Sequence, residues 1–178
     1  MPIIAVPDPS LIVLIGAAGA GKTTFAARHF DRSEVLSSDA YRALISGDEA
    51  DQTVTRAAFR RLHRDLSRRL EARRLTVIDA TNVERAARRA LLMRSRAAGL
   101  PAIAVVLDLP APTILARNAG RIGRGVDDSV VHHHLARLRA TLDGGGARLA
   151  AEGFDAVVVV RDPLELDAVS ILRQVAEA

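Results

Sequence analysis

The sequence predicts an α/β domain built on a parallel sheet of about five strands flanked by helices. Three observations predict it. Five short apolar runs alternate along the chain with amphipathic stretches. The first run ends in a glycine-rich turn that leads into a helical segment. The chain has 178 residues, 49% of them hydrophobic, enough for one domain with a sizeable core.

Each element has its own signal. Leu11–Ile15 is an apolar run stopped by Gly16, hence a buried strand. Residues 23–30 read as a helix and 34–37 as a second strand. A short helix over 40–45 precedes the polar loop 46–52. Residues 53–74 form a long helix, because Ala58, Leu62, Leu66 and Leu70 recur every four residues and mark a buried stripe. Residues 75–79 are the third strand. Thr81 and Glu84 have capping-box spacing, so the next helix is expected to open there and run to about Ala98, where Gly99 and Pro101 end it. Ala102–Leu107 is the fourth strand. Residues 112–118 are helical, 120–125 are a basic segment broken by glycines, and Asp127 caps a helix to about Leu142. Gly144, Gly145 and Gly146 predict a flexible break, Ala156–Val160 the fifth strand, and 163–176 a closing helix. With no repeat or long linker, one domain is expected over 1–178, with a lid over about 117–140.

Composition narrows the chemistry. The chain has no cysteine, which excludes disulfides, zinc–thiolate sites and a thiol nucleophile. That fits a reducing compartment, so a cytoplasmic location is expected. The N-terminus has no basic n-region and no apolar run long enough to span a bilayer, so no membrane partner is expected. The formal net charge of +4 permits an anionic partner.

Lys22 is the one lysine among 24 arginines, and it lies in the most specific motif of the chain. Gly16-Ala17-Ala18-Gly19-Ala20-Gly21-Lys22-Thr23 matches G-x-x-x-x-G-K-[ST] between a predicted strand and a predicted helix. Small residues let backbone N–H groups turn inward around phosphate oxygens, and the helix N-terminus adds its positive end. Lysine reaches the β- and γ-phosphates as a compact charge on a flexible stem, which the planar arginine fork does not reproduce. The expected ligands are ATP, held by residues 16–23 with Thr24, and Mg²⁺, to which Thr23 offers its hydroxyl. A guanine-reading Asn/Thr-Lys-x-Asp element would need a second lysine, and there is none.

The acceptor side is expected at the same sheet edge. Asp39 lies just past the second strand, at the ligand-binding end of a parallel sheet, with Arg42 three residues on. A carboxylate there can take the proton of an attacking hydroxyl, and the arginine can hold a phosphate. The alternative is that Asp39 only caps its helix. Asp79, ending the third strand, can orient Mg²⁺ through water. Arg117, Arg121 and Arg124 fall among Gly120, Gly123 and Gly125, a combination suited to a lid that brings positive charge over the phosphates. Arg56, Arg60, Arg64 and Arg68 form a stripe that either tracks a phosphodiester backbone or is the wet face of the long helix. His132, His133 and His134 point about 100° apart on a helix, so the three cannot converge on one metal ion.

The stretches "GAAGAGKTTFAARHF", "EVLSSDAYRALISGDEADQTVTRAAF", "LTVIDATNVERAAR" and "ARNAGRIGRGV" together resemble the kinase domain of bacterial polynucleotide kinase-phosphatase, from about Leu11 to Val160. The resemblance implies a P-loop kinase fold. It also implies transfer of the ATP γ-phosphate to the 5′-OH of an RNA or DNA end, with Mg²⁺, in nucleic-acid end healing and repair. By position, Lys22 and Thr23 would hold phosphate and metal, and Asp39 would be the general base. Arg42 would contact the scissile or acceptor phosphate, and Arg117 and Arg124 would be lid arginines on the donor phosphates. Arg121 lies in the matching lid segment. Bacterial members carry phosphatase and ligase-related modules after the kinase, and these 178 residues do not include them. Two further readings stay open: a P-loop kinase of a small-molecule hydroxyl (sugar, antibiotic or nucleotide sugar), and a non-catalytic nucleotide-binding switch.

Overall fold

The computed structural model describes residues 2–121 and 125–175. In chain order its first elements are β1 (Ile3–Asp8), β2 (Leu11–Ile15), α1 (Lys22–His29), β3 (Val35–Ser37), α2 (Ser38–Ser46), α3 (Thr55–Glu71) and β4 (Thr76–Asp79). They are followed by α4 (Arg85–Ala97), β5 (Ala102–Leu107), α5 (Ala111–Ala119), α6 (Asp128–Leu142), α7 (Ala147–Glu152), β6 (Ala156–Val160), α8 (Pro163–Ala168) and β7 (Ser170–Val175).

Five strands make the central sheet in the order β3-β4-β2-β5-β6, every pair parallel. Strand β2 lies in the middle and is buried along its whole length, which is why it reads as an unbroken apolar run. Its side chains divide by the two-residue strand period. Ile12 and Leu14 share a core layer with Phe25 of α1, Ile114 of α5 and Leu166 of α8. Leu11, Val13 and Ile15 share the other with Leu62, Leu66 and Leu70 of α3 and with Leu91 and Leu92 of α4. Those three α3 leucines are fully buried, each worth about 1.5–3 kcal/mol. Helix α6 serves both layers: Val131 and Leu135 belong to the first, Leu138 and Leu142 to the second.

The five sheet strands stand where the sequence puts them, to within a residue. Other expectations need correction. The closing helix over 163–176 is instead α8, which stops at Ala168, followed by β7, which pairs in parallel with β1 as a separate two-stranded sheet. Ile4 and Val6 of β1 are buried in the first core layer, and Arg173 of β7 bonds Glu34. Pairing between the two ends of the chain therefore outweighs local helix propensity. The long helix begins at Thr55 and ends at Glu71, with a 3₁₀ turn over Gln52–Val54 before it. The expected break at Gly144–Gly146 leads directly into α7, with Gly146 as its N-cap. Thr81 does not open α4, whose N-cap is Glu84. Among the described residues, no helix is long and apolar enough to cross a membrane.

Candidate active site

The glycine-rich loop joins β2 to α1, and close approach dictates its glycines. Gly19 has φ +85°, and a Cβ there would lie 2.6 Å from the Ile114 carbonyl oxygen. A Cβ at Gly16 would lie 3.0 Å from the Leu107 carbonyl. The segment after β4 buttresses the loop. Gly16 N–H donates to the Thr81 carbonyl at 3.0 Å, and the buried Asn82 side chain donates to the Leu14 carbonyl at 2.7 Å. Asn82 has φ +50°, which asparagine tolerates, so Thr81 and Asn82 serve the loop rather than the helix start.

Lys22 is folded back onto this loop. Its ammonium donates to the carbonyls of Gly16 at 3.0 Å and Ala17 at 2.8 Å, and its side chain is buried. Burial lowers its pKa to about 8; Arg121 adds to the effect, while Asp79 and Asp39 oppose it. The Thr23 hydroxyl donates to Asp79 Oδ2 at 2.8 Å. Burial raises the pKa of Asp79, against the Lys22 charge and the Thr23 bond. Hard oxygen donors, a hydroxyl and a carboxylate, thus lie side by side, the donor type that would hold a magnesium ion. The residues fit that ion.

Across from the loop, α2 opens at Ser38 with Ser37 as N-cap, so the Asp39 carboxylate does not cap the helix. It accepts from the Arg42 guanidinium and from the Ser38 hydroxyl. Arg42 is buried, and its Nε donates to the Glu49 carbonyl at 2.7 Å, which fixes its head. The Asp39 side chain keeps 34% of its surface exposed. Both Asp39 and Asp79 act electrostatically on Lys22, so the geometry brings the loop lysine and the two strand-end acids into one cluster.

On the far side of the loop is a cavity of about 260 Å³ lined by Gly21, Thr24, Phe25, Arg28, Arg117, Leu166 and Asp167. Arg117 therefore stands beside the loop, with one guanidinium nitrogen 3.5 Å from where a Gly21 Cβ would be. Arg121 is near enough to Lys22 to affect its charge. Arg124 lies outside the described residues. Asn118 is tied to Val126: its side chain donates to the Val126 carbonyl at 2.7 Å and accepts its N–H at 3.1 Å. Arg56, Arg60, Arg64 and Arg68 are all exposed on α3.

The three histidines of α6 diverge. His133 faces Glu84 at 3.4 Å, and His134 Nδ1 accepts the Ala18 N–H of the loop at 3.5 Å. Sequence reasoning missed His134, although a signal was present: it lies three residues after Val131 and four before Leu138, on the buried stripe. It also missed Arg88, buried on α4 with Leu91, Leu92 and Ser95. Arg88 bonds Glu152 through two nitrogens, at 2.8 and 2.7 Å, and donates to the carbonyls of Asn82 and Val83. It thereby holds the segment that buttresses the loop.

Residues 11–144 match the model of a family described as an AAA domain, AAA_33. No curated protein matches the sequence. Solved structures share the P-loop kinase-like fold. A chain of the Pnkp1/Rnl/Hen1 RNA repair complex superposes with a TM-score of 0.62 at 24% identity, over 78% of this chain and 46% of that one. This chain thus spans about half of the repair protein's length. A sugar kinase from Janibacter sp. HTCC2649 gives 0.58 at 22% identity, covering 89% of this chain and 90% of that one. Shikimate kinase from Acinetobacter baumannii, in complex with shikimate, gives 0.53 at 21%, covering 89% and 88%.

Proposed function

The chain belongs to the AAA_33 family of AAA domains and is P-loop kinase-like; on that premise we propose that it is an ATP-dependent phosphotransferase acting on the 5′-hydroxyl of a polynucleotide end. The observation that carries the phosphotransferase reading is one cluster. A P-loop lysine, a Thr23–Asp79 pair and a carboxylate free of capping duty lie together at the sheet edge.

In this reading the residues divide the work. The loop amides and Lys22 bind the β- and γ-phosphates, and Lys22 leaves its two carbonyl partners to do so. Thr23 and Asp79 would hold Mg²⁺, which would neutralise phosphate charge. Asp39 accepts the proton of the acceptor hydroxyl as the hydroxyl oxygen forms the new bond to the γ-phosphorus. The bond to the β–γ bridging oxygen breaks, and ADP leaves with that electron pair. Arg42 holds the acceptor phosphate or the phosphoryl group in flight. Arg117 and Arg121 cover the donor phosphates and exclude water.

The polynucleotide acceptor is supported by the partly exposed Asp39 carboxylate, the exposed α3 arginines, and the fold shared with the RNA repair chain. A second reading, a small-molecule hydroxyl acceptor, is favoured by a different observation: the sugar kinase and shikimate kinase are covered almost end to end, the repair chain only by half. The test is transfer of labelled γ-phosphate from MgATP to a short 5′-OH oligonucleotide, beside a 5′-phosphorylated control. Label on the 5′-OH strand alone supports the first reading. Label on a sugar or cyclic polyol instead supports the second, and MgATP binding with no acceptor labelled leaves the nucleotide switch.

A further inference from the structure

His134 occupies a position that the phosphotransfer reading does not use. It lies on α6, within the half that packs on the loop side of the sheet through Val131 and Leu135; Leu138 and Leu142 of the same helix pack on the other side. Ala17, Ala18 and Ala20 of the P-loop belong to the same core layer as Val131 and Leu135, so the imidazole is held over the loop by packing. Its Nδ1 accepts the Ala18 N–H at 3.5 Å. That tautomer is neutral, with its proton on Nε2. A P-loop amide normally serves phosphate oxygens, and here a side chain occupies it.

We propose that His134 is a phosphate ligand of the P-loop: it accepts the Ala18 N–H in the nucleotide-free protein, and on nucleotide binding it takes up one solvent proton and donates to the phosphate that claims that N–H. The proposal rests on the nucleotide-site reading above and adds a residue to it. An acceptor facing a polyanion is repulsive, whereas an imidazolium in the same place makes a charge-assisted hydrogen bond. The charged groups that act on the ring are Lys22 of α1, Glu84 of the segment before α4, and His133 on its own helix. Burial and Lys22 keep His134 below the ordinary histidine range in the nucleotide-free protein, with Glu84 opposing. A bound triphosphate places several negative charges against that balance and reverses it. Lys22 is separable: with a pKa of about 8 it is already roughly nine-tenths protonated at pH 7, so it supplies only about a tenth of a proton there.

The test is calorimetric titration of MgATP into the whole chain at pH 7.0, in buffers of different ionisation enthalpy, for wild type, His134→Gln and His134→Ala. The expected result is uptake of more than half a proton per nucleotide by wild type, falling to about a tenth in both variants. MgATP affinity should fall roughly 10- to 100-fold in His134→Ala and less in His134→Gln, which retains a neutral donor. MgATP binding without proton uptake, or with uptake unchanged in His134→Gln, overturns the proposal and leaves the nucleotide site standing. Failure of the wild-type chain to bind MgATP overturns the nucleotide-site reading and this proposal with it. If both variants fail to fold, absence of proton uptake by wild type still overturns the proposal.

Discussion

Replacing Lys22 with methionine should make the nucleotide-free protein more stable at neutral pH while removing its nucleotide binding. Folded Lys22 releases its proton near pH 8, whereas an unfolded lysine holds it to about pH 10.5. Between those values the unfolded state binds more protons, so stability rises with pH. Below pH 8 the full cost of burying the ammonium is present, about 3 kcal/mol from the gap between the two values. Methionine fills similar volume without charge, but leaves the Gly16 and Ala17 carbonyls without the bonds at 3.0 and 2.8 Å, a loss of roughly 1 kcal/mol in total once solvent reaches them. The net gain at pH 7 is about 2 kcal/mol, or a rise in Tm of about 4–8 °C for a chain of this size. Urea denaturation of both proteins at pH 7 and pH 10 checks it. The gain should be present at pH 7 and gone at pH 10, where the wild-type lysine is mostly neutral. A Lys22→Met protein that is less stable at pH 7, or a difference independent of pH, would refute the reasoning.

Gly19→Ala forces a Cβ to 2.6 Å from the Ile114 carbonyl at φ +85°, so MgATP affinity should fall at least tenfold and stability by about 2 kcal/mol or more, measured by titration and urea denaturation. Arg88→Met removes both hydrogen bonds to the nearly buried Glu152 carboxylate and leaves it only Arg85 at 3.9 Å, so it should cost about 3–5 kcal/mol, whereas Arg88→Met with Glu152→Leu should recover at least half of that; a double-mutant cycle reads the coupling. Asp79→Asn keeps a partner for Thr23 but removes a metal-facing charge, so the Mg²⁺ concentration needed for half-maximal transfer should rise at least tenfold with little change in stability.

The sheet was legible because buried parallel strands are nearly pure apolar runs, and Leu11–Ile15 and Ala102–Leu107 leave no competing period. The pair β1 and β7 was not. Each is a short strand whose partner lies at the other end of the chain, and no local pattern in Ile3–Asp8 or Ser170–Val175 announces that pairing. Thr81 and Glu84 carried the capping-box spacing, but the Thr81 carbonyl is taken by Gly16 and the Glu84 carboxylate by Arg137. Long-range bonds outbid the local signal. In the site, the P-loop and the strand-end acids Asp39 and Asp79 follow from motif and topology. His134 and Arg88 do not, because their roles depend on which loop lies across from a helix face. The His-His-His run even drew attention to metal geometry and away from the stripe on which His134 lies.

The most direct measurement is a single-turnover transfer from saturating MgATP to a 5′-OH oligonucleotide by wild type and by Asp39→Asn, with MgATP affinity measured on the same samples. With Asp39 as the base, affinity should agree within about threefold while the transfer rate falls by roughly 10²–10⁴. Transfer at the wild-type rate by Asp39→Asn would contradict the account, because the carboxylate placed beside Arg42 would then have no part in taking the acceptor proton.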